Sequence, residues 1–165
     1  MQKTIREYRR AKNTVIMMEE PVHNVKNSSI ADATILHRKE TDMELKAGMK
    51  NSITINVTAA MCADNLDSQL PQVDLPHVFS TPSMINLMEL TCADLLAKNL
   101  EEGKGSVGMA VEVKHFSATP EGGKVTCEVE IAEIDGKKIL FNVAASDEKG
   151  PIGKGTHKRA IITKK

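Results

Sequence analysis

One segment constrains the fold more than any other. VFSTPSMINLMELTCADLL, residues 78–96, carries the three-and-four spacing of a long amphipathic helix, while the chain after it alternates with the period of strands. The helix start is well marked: Thr81 is an N-cap residue type and Pro82 is favoured at the first helical position. Met84, Leu87, Met88, Thr91 and Leu95 form a broad buried side, opposed by Asn86, Asp94 and Lys98. A neighbouring row runs Thr81, Ile85, Glu89, Cys92, Leu96, so a helix over 82–100 is expected to turn the Glu89 carboxylate inward. Such a carboxylate is costly unless it is paired, hydrogen-bonded or neutralised. A partly exposed edge position or a satisfied structural glutamate is the plainer reading, and partners from elsewhere in the chain must decide.

The strands that could supply those partners are legible. MKNSITINVTAA sets Ile53, Ile55 and Val57 against Ser52, Thr54 and Asn56, a half-buried strand ahead of the helix. CADNLDSQLPQVDLPHVFS, with two prolines, reads as an ordered loop between them. After Gly103 and Gly105, SVGMAVEVKHFSATP puts Val107, Met109, Val111, Val113 and His115 on one face, leaving His115 as the last residue of an apolar row. KVTCEVEIAEIDGKKILFNVAASD is a hairpin turning at Asp135-Gly136. A strict two-residue loop sets Glu130 opposite Phe141; one bulged residue instead sets Ile131 opposite Phe141 and Val129 opposite Val143, and the apolar match favours the bulge. GKGTHKRAIIT supplies a closing strand. One helix cannot cover both faces of such a sheet, so the economical fold is α+β: a helix wrapped by its own antiparallel sheet, with strand edges joined across a homodimer.

Composition narrows the function. Lysine plus arginine and aspartate plus glutamate both number 22, and one tyrosine, three phenylalanines and no tryptophan offer little for bases to stack on. Nucleic acid is therefore an unfavoured partner. No segment approaches the ~20 apolar residues of a membrane span. Cys62, Cys92 and Cys127 are odd in number and lack C-x-x-C spacing, which points to neither a disulfide framework nor a metal site and fits a reducing, cytoplasmic setting. The 165 residues suit one domain, at 45–165, preceded by an extension over 1–44. The extension opens with MQKTIREYRRAKNTVIMM, more readily an added helix than a transit peptide because Glu7 interrupts it. Residues 19–44 show no sustained period.

The helix-first order, the T-x7-E spacing from Thr81 to Glu89, the G-x6-H spacing from Gly108 to His115 and the closing G-T-H-x-R of residues 155–159 resemble the fluoroacetyl-CoA thioesterase group of hotdog-fold proteins. The resemblance covers roughly residues 45–163 and runs without gaps from Thr81 through Arg159. It implies a hotdog homodimer, or a higher oligomer built from it, that hydrolyses an acyl-CoA thioester without a cofactor. It also implies a catalytic set of Thr81, Glu89 and His115 at the dimer interface.

By chemistry alone, a carboxylate such as Glu89 can act as general base on water or attack the acyl carbon to form an anhydride. Thr81 at a helix N-terminus can polarise or position the carbonyl. His115 can orient the carboxylate or hand a proton to the departing thiolate; standing alone, it would more readily be read as a satisfied core histidine. Gly108 matches a family glycine beside the site, Arg159 matches a structural or supporting arginine, and Lys154 could meet a coenzyme A phosphate. In the fluoroacetate-specific enzyme, aromatic lid residues precede the helix, where this chain offers only Phe79. A general short-chain or otherwise modified acyl-CoA is the expected substrate class. A non-catalytic acyl-CoA binding or sensing module is the alternative. A hotdog dehydratase is disfavoured by the lack of its Asp/His pair.

Overall fold

The computed structural model describes residues 45–65 and 73–164. The expected N-terminal extension, and the middle of the loop before the helix, lie outside the described residues. Strand β1 (Lys50–Asn56) is followed by two 3-10 turns (Ala59–Met61 and Ala63–Asn65), helix α1 (Thr81–Asn99) and strands β2 (Lys104–His115), β3 (Lys124–Asp135), β4 (Lys138–Asp147) and β5 (Gly150–Thr163). The strands form one antiparallel sheet in the order β1-β3-β4-β5-β2, so the two outer strands flank the helix in sequence.

The helix lies on one face of this sheet. Met84, Leu87, Met88, Thr91, Cys92, Leu95 and Leu96 are its buried residues, as the apolar spacing anticipates. They meet every second residue of the central strands: Val125, Cys127, Val129 and Ile131 from β3, and Ile139, Phe141, Val143 and Ala145 from β4, with Ile152 from β5. Fully buried side chains such as Met88, Phe141 and Ile131 each contribute roughly 1.5–3 kcal/mol of hydrophobic stabilisation. The buried Thr91 hydroxyl costs little because it donates to the Leu87 carbonyl at 2.7 Å. Where the helix crosses β5, a Cβ on Gly153 would stand 2.5 Å from Met84 Sδ and 3.0 Å from the Lys114 carbonyl oxygen, so the Met84 side chain packs into the space that glycine leaves.

The β3–β4 hairpin takes the bulged register: Val129 opposes Val143, Ile131 opposes Phe141, and the shift falls between Ile131 and Glu133. The slip keeps both apolar rows facing the helix. In β2 a second bulge overturns the expected face. The register shifts between Gly108 and Ala110, so Val111, Val113 and His115 face the helix side together with Gly108, not with Val107. Met109 is the extra residue, half exposed.

Candidate active site

The start of α1 is built from the chain on both sides of it. The N-cap is Ser80, one residue earlier than the sequence indicates; its backbone is extended and its hydroxyl accepts from the Ser83 N–H at 3.1 Å. Thr81 occupies the first helical turn beside Pro82. The displacement matters because a capping hydroxyl is committed to the helix, whereas that of Thr81 is free to bond elsewhere. It lies 2.9 Å from Nδ1 of His115, the last residue of β2. The ring of Phe79 packs edge-on against this imidazole, with centroids 6.4 Å apart. Phe79 is fully buried, so it backs the histidine rather than closing over a pocket. Nε2 of His115 is buried and has no hydrogen-bond partner among the described residues. An unsatisfied buried ring nitrogen next to a hydroxyl is a costly arrangement in a purely structural setting.

Two turns along the helix, Glu89 is not buried as expected. Its side chain is 41% exposed, at the border of the apolar face, and Oε1 accepts from Arg159 Nη1 at 3.1 Å. Arg159 on β5 is only 5% exposed, and each of its three guanidinium nitrogens meets a protein group. Nε donates to Ser106 Oγ at 3.0 Å and Nη2 to the Ser106 carbonyl at 3.1 Å. Nη1 also meets the Glu89 carbonyl and His157 Nε2. Because the Ala110 carbonyl can only accept, His157 Nδ1 carries the proton it donates there at 2.9 Å, leaving Nε2 as an acceptor for the guanidinium. Burial is the largest influence on His157 and pushes its pKa down; Arg159 adds to this, against the pull of the Ala110 carbonyl. A neutral imidazole is what a guanidinium contact requires.

Gly108 lies directly beneath this carboxylate. A Cβ there would collide with Glu89 Oε1 and come within 3.3 Å of His157. The bulge at Met109 and the missing side chain at Gly108 together make the seat in which Glu89 rests.

The structure groups the sequence-derived candidates into two pairs and leaves one apart. Thr81 and His115 form one pair; Glu89 and Arg159, with Gly108, form the second. Thr81 and Glu89 sit eight residues apart on one helix, a rise of ~12 Å, so the contacts of a single chain do not bring Glu89 to the Thr81–His115 pair. Lys154 is separate. It pairs with Lys114 and Ala144 and alternates with Gly153 and Gly155, so it projects from the sheet face opposite the helix. Ser106 has no role in the sequence reading, and His157 enters it only as a letter of the G-T-H-x-R motif. The signal for His157 was present, since residues two apart on a strand share a face and His157 sits two before Arg159.

A long helix laid across one face of an antiparallel sheet is the hotdog fold of the thioesterase superfamily. The family model of the fluoroacetyl-CoA-specific thioesterase FlK matches residues 57–165, and the chain belongs to that family. A fluoroacetyl-CoA thioesterase of Streptantibioticus cattleyicolor is 43% identical over 89 residues, which make up 54% of this chain and 64% of that relative. The chain thus spans somewhat under two thirds of the length of the curated relative. A solved structure of the fluoroacetyl-CoA thioesterase FlK shares 35% identity with a TM-score of 0.70, over 73% of this chain and 90% of that one. A phenylalanine-to-alanine variant of FlK in complex with fluoroacetate and CoA has a TM-score of 0.69 at 35% identity, covering 72% of this chain and 96% of the other.

Proposed function

We propose that this protein is an acyl-CoA thioesterase that hydrolyses a short or modified acyl-CoA, acting as a homodimer. The observation that carries the reading is the 2.9 Å contact between the Thr81 hydroxyl and His115 Nδ1, with His115 Nε2 buried and unpartnered among the described residues. Family membership and the CoA complex of a relative support the substrate class.

In this reading Thr81 and His115 hold one side of the thioester and Glu89 supplies the carboxylate. The distance between Thr81 and Glu89 along α1 favours a composite site, in which the Thr81–His115 pair of one protomer works with the Glu89 of its partner. The edge strand supports the dimer. Among the described residues β2 is an outer strand of the sheet, and Val107, Met109 and Val111 on it are exposed, as is Leu90 of α1. A long apolar edge of this kind is a template for pairing with a second copy.

The chemistry follows from the groups present. The Glu89 carboxylate, fixed by Arg159, activates water or attacks the acyl carbon. The Thr81 hydroxyl, at a helix start, meets the negative charge that develops on the thioester oxygen. His115 passes a proton to the leaving thiolate. Arg159 is engaged throughout by protein groups, so its role is to hold Glu89 rather than to bind substrate directly. Lys154 would reach a coenzyme A phosphate only along the outer sheet face. Cys62, Cys92 and Cys127 are free thiols, which supports a reducing, cytoplasmic compartment.

The test is release of free thiol across a panel of acyl-CoAs, including acetyl- and fluoroacetyl-CoA. Turnover of at least one short-chain thioester supports the assignment. Saturable acyl-CoA binding with no thiol released from any member would replace it with a non-catalytic binding module.

A further inference from the structure

A second cluster of chemistry-bearing side chains stands where the chain enters α1, and the thioesterase reading makes no use of it. Cys62 Sγ, an Asp64 carboxylate oxygen and a His77 ring nitrogen all lie within 4.8 Å of one another. They come from the 3-10 turns and from the segment ending at the Ser80 cap. The two segments are already joined by backbone: Ala63 N donates to the Val78 carbonyl and Ser80 N to the Met61 carbonyl, each at 2.9 Å. A fourth group orients the imidazole from the β2–β3 connection, where Glu121 Oε2 lies 2.8 Å from His77 Nε2. Nδ1 faces Asp64, with its two carboxylate oxygens at 2.9 and 2.8 Å.

We propose that Cys62, Asp64 and His77 form a binding site for a divalent transition metal of the zinc class, with Glu121 holding the histidine. The donor set is one soft sulfur, one imidazole nitrogen and one carboxylate oxygen, a combination that zinc takes in tetrahedral sites. With bonds of ~2.3 Å to sulfur and ~2.0 Å to nitrogen and oxygen, neighbouring donors in such a site stand roughly 3.3–3.5 Å apart. Closing the cluster on an ion therefore requires shifts on the order of 1 Å, within reach of side-chain rotation. A hydrogen bond from the second ring nitrogen to a carboxylate is the supporting contact that zinc-bound histidines make, and Glu121 occupies that place. Asp64 and His77 are exposed while Cys62 is fully buried, so the fourth position opens to solvent and the thiolate anchors the ion from within.

The spacing is Cys-x-Asp-x12-His, which is why a search for C-x-x-C misses it. The consequence is mechanical: an ion here would cross-link the turns at 59–65 to the residue three before the Ser80 cap and four before Thr81. That link would steady the entry to the helix on which the Thr81 hydroxyl is presented.

Tag-free, chelator-stripped full-length protein is titrated with cobalt(II) and followed by absorption. The expected result is a near-ultraviolet thiolate-to-cobalt band that saturates at about one equivalent per chain and is displaced by zinc. The histidines elsewhere in the chain cannot mimic this band, because it requires a thiolate. Cys62→Ser abolishes it, and Glu121→Gln weakens zinc binding by about 10-fold or more. The wild-type protein alone can overturn the proposal: no saturable band there means that His77 merely bridges two carboxylates. A band that persists in Cys62→Ser overturns it as well, by assigning the thiolate to another cysteine.

Discussion

Arg159 grips Glu89 at two points, with Nη1 3.1 Å from the carboxylate Oε1 and 3.4 Å from the backbone carbonyl of the same residue. Side chain and helix backbone are thereby referred to one rigid group on β5, and the carboxylate is fixed in place without being buried. If Glu89 supplies the catalytic carboxylate, Glu89→Gln keeps the fold and lowers the chemical step by ~10²-fold or more, the scale of losing an acid–base group. Single-turnover thiol release, with circular dichroism to check the helix, measures both. Normal turnover in that variant would remove Glu89 from the mechanism.

Arg159→Lys tests positioning apart from charge. Lysine keeps the cation but cannot reach Ser106, His157 and Glu89 together, because it lacks the planar fork. We expect kcat to fall by about 10-fold or more, since small misplacements of a reacting group are costly, with little change in KM. A matching rise in KM at unchanged kcat would instead mark Arg159 as a substrate-binding group.

Ser80 and Thr81 are adjacent hydroxyl residues with separable roles. Ser80→Ala removes the cap and lowers stability by ~1 kcal/mol. Thr81→Ala leaves the cap in place and changes stability by roughly 0.5 kcal/mol or less, yet impairs hydrolysis, as does His115→Ala. Denaturant unfolding and turnover on the same samples distinguish them. If acyl-CoA binding collapsed in Thr81→Ala while turnover at saturation stayed normal, Thr81 and His115 would be pocket residues rather than groups acting on the transition state.

The His157 contact predicts a pH dependence. Its folded pKa is depressed, mainly by burial and then by Arg159. The stability of the neutral contact is therefore fully present above the ordinary histidine value of about 6.5 and is lost as pH falls through the lowered folded value. Acid should thus loosen Arg159, and with it Glu89, before the sheet unfolds. Unfolding free energies measured across this range should decline on the acid side in the wild type and flatten in His157→Gln. An equal decline in both proteins would assign the effect to other groups.

The edge of β2 predicts the assembly. Met109→Lys and Val107→Glu place charge on its exposed apolar residues, with Val107 on the sheet face away from the helix. Sedimentation should show a dimer for the wild type at micromolar concentration and a shift toward monomer in the double variant, with activity falling in parallel if the site is composite. A monomeric wild type that retains full turnover would rule out the shared site.

Local pattern made much of this chain readable. The apolar row of α1, the alternation of β1 and the bulged register that sets Ile131 against Phe141 all follow from which side chains must leave water, a constraint each segment carries in its own residues. The Thr81, Glu89 and His115 candidates came from spacing and resemblance. What the segments could not express was the contact each makes with another. The bulge at Met109 is set by pairing with β5, and it moves Gly108 to the helix side, beneath Glu89. The cap moves to Ser80 because the Ser80 and Phe79 N–H groups donate to the Met61 and Thr119 carbonyls and fix the approach to the helix, which frees Thr81 for His115. Glu89 stays half exposed because Arg159, 70 residues away, meets it at the border of the core. Burial periodicity is local and can be counted along the chain. Hydrogen-bond partners are distant in sequence, so only tertiary structure decided which polar groups are spent on the fold and which are left for chemistry.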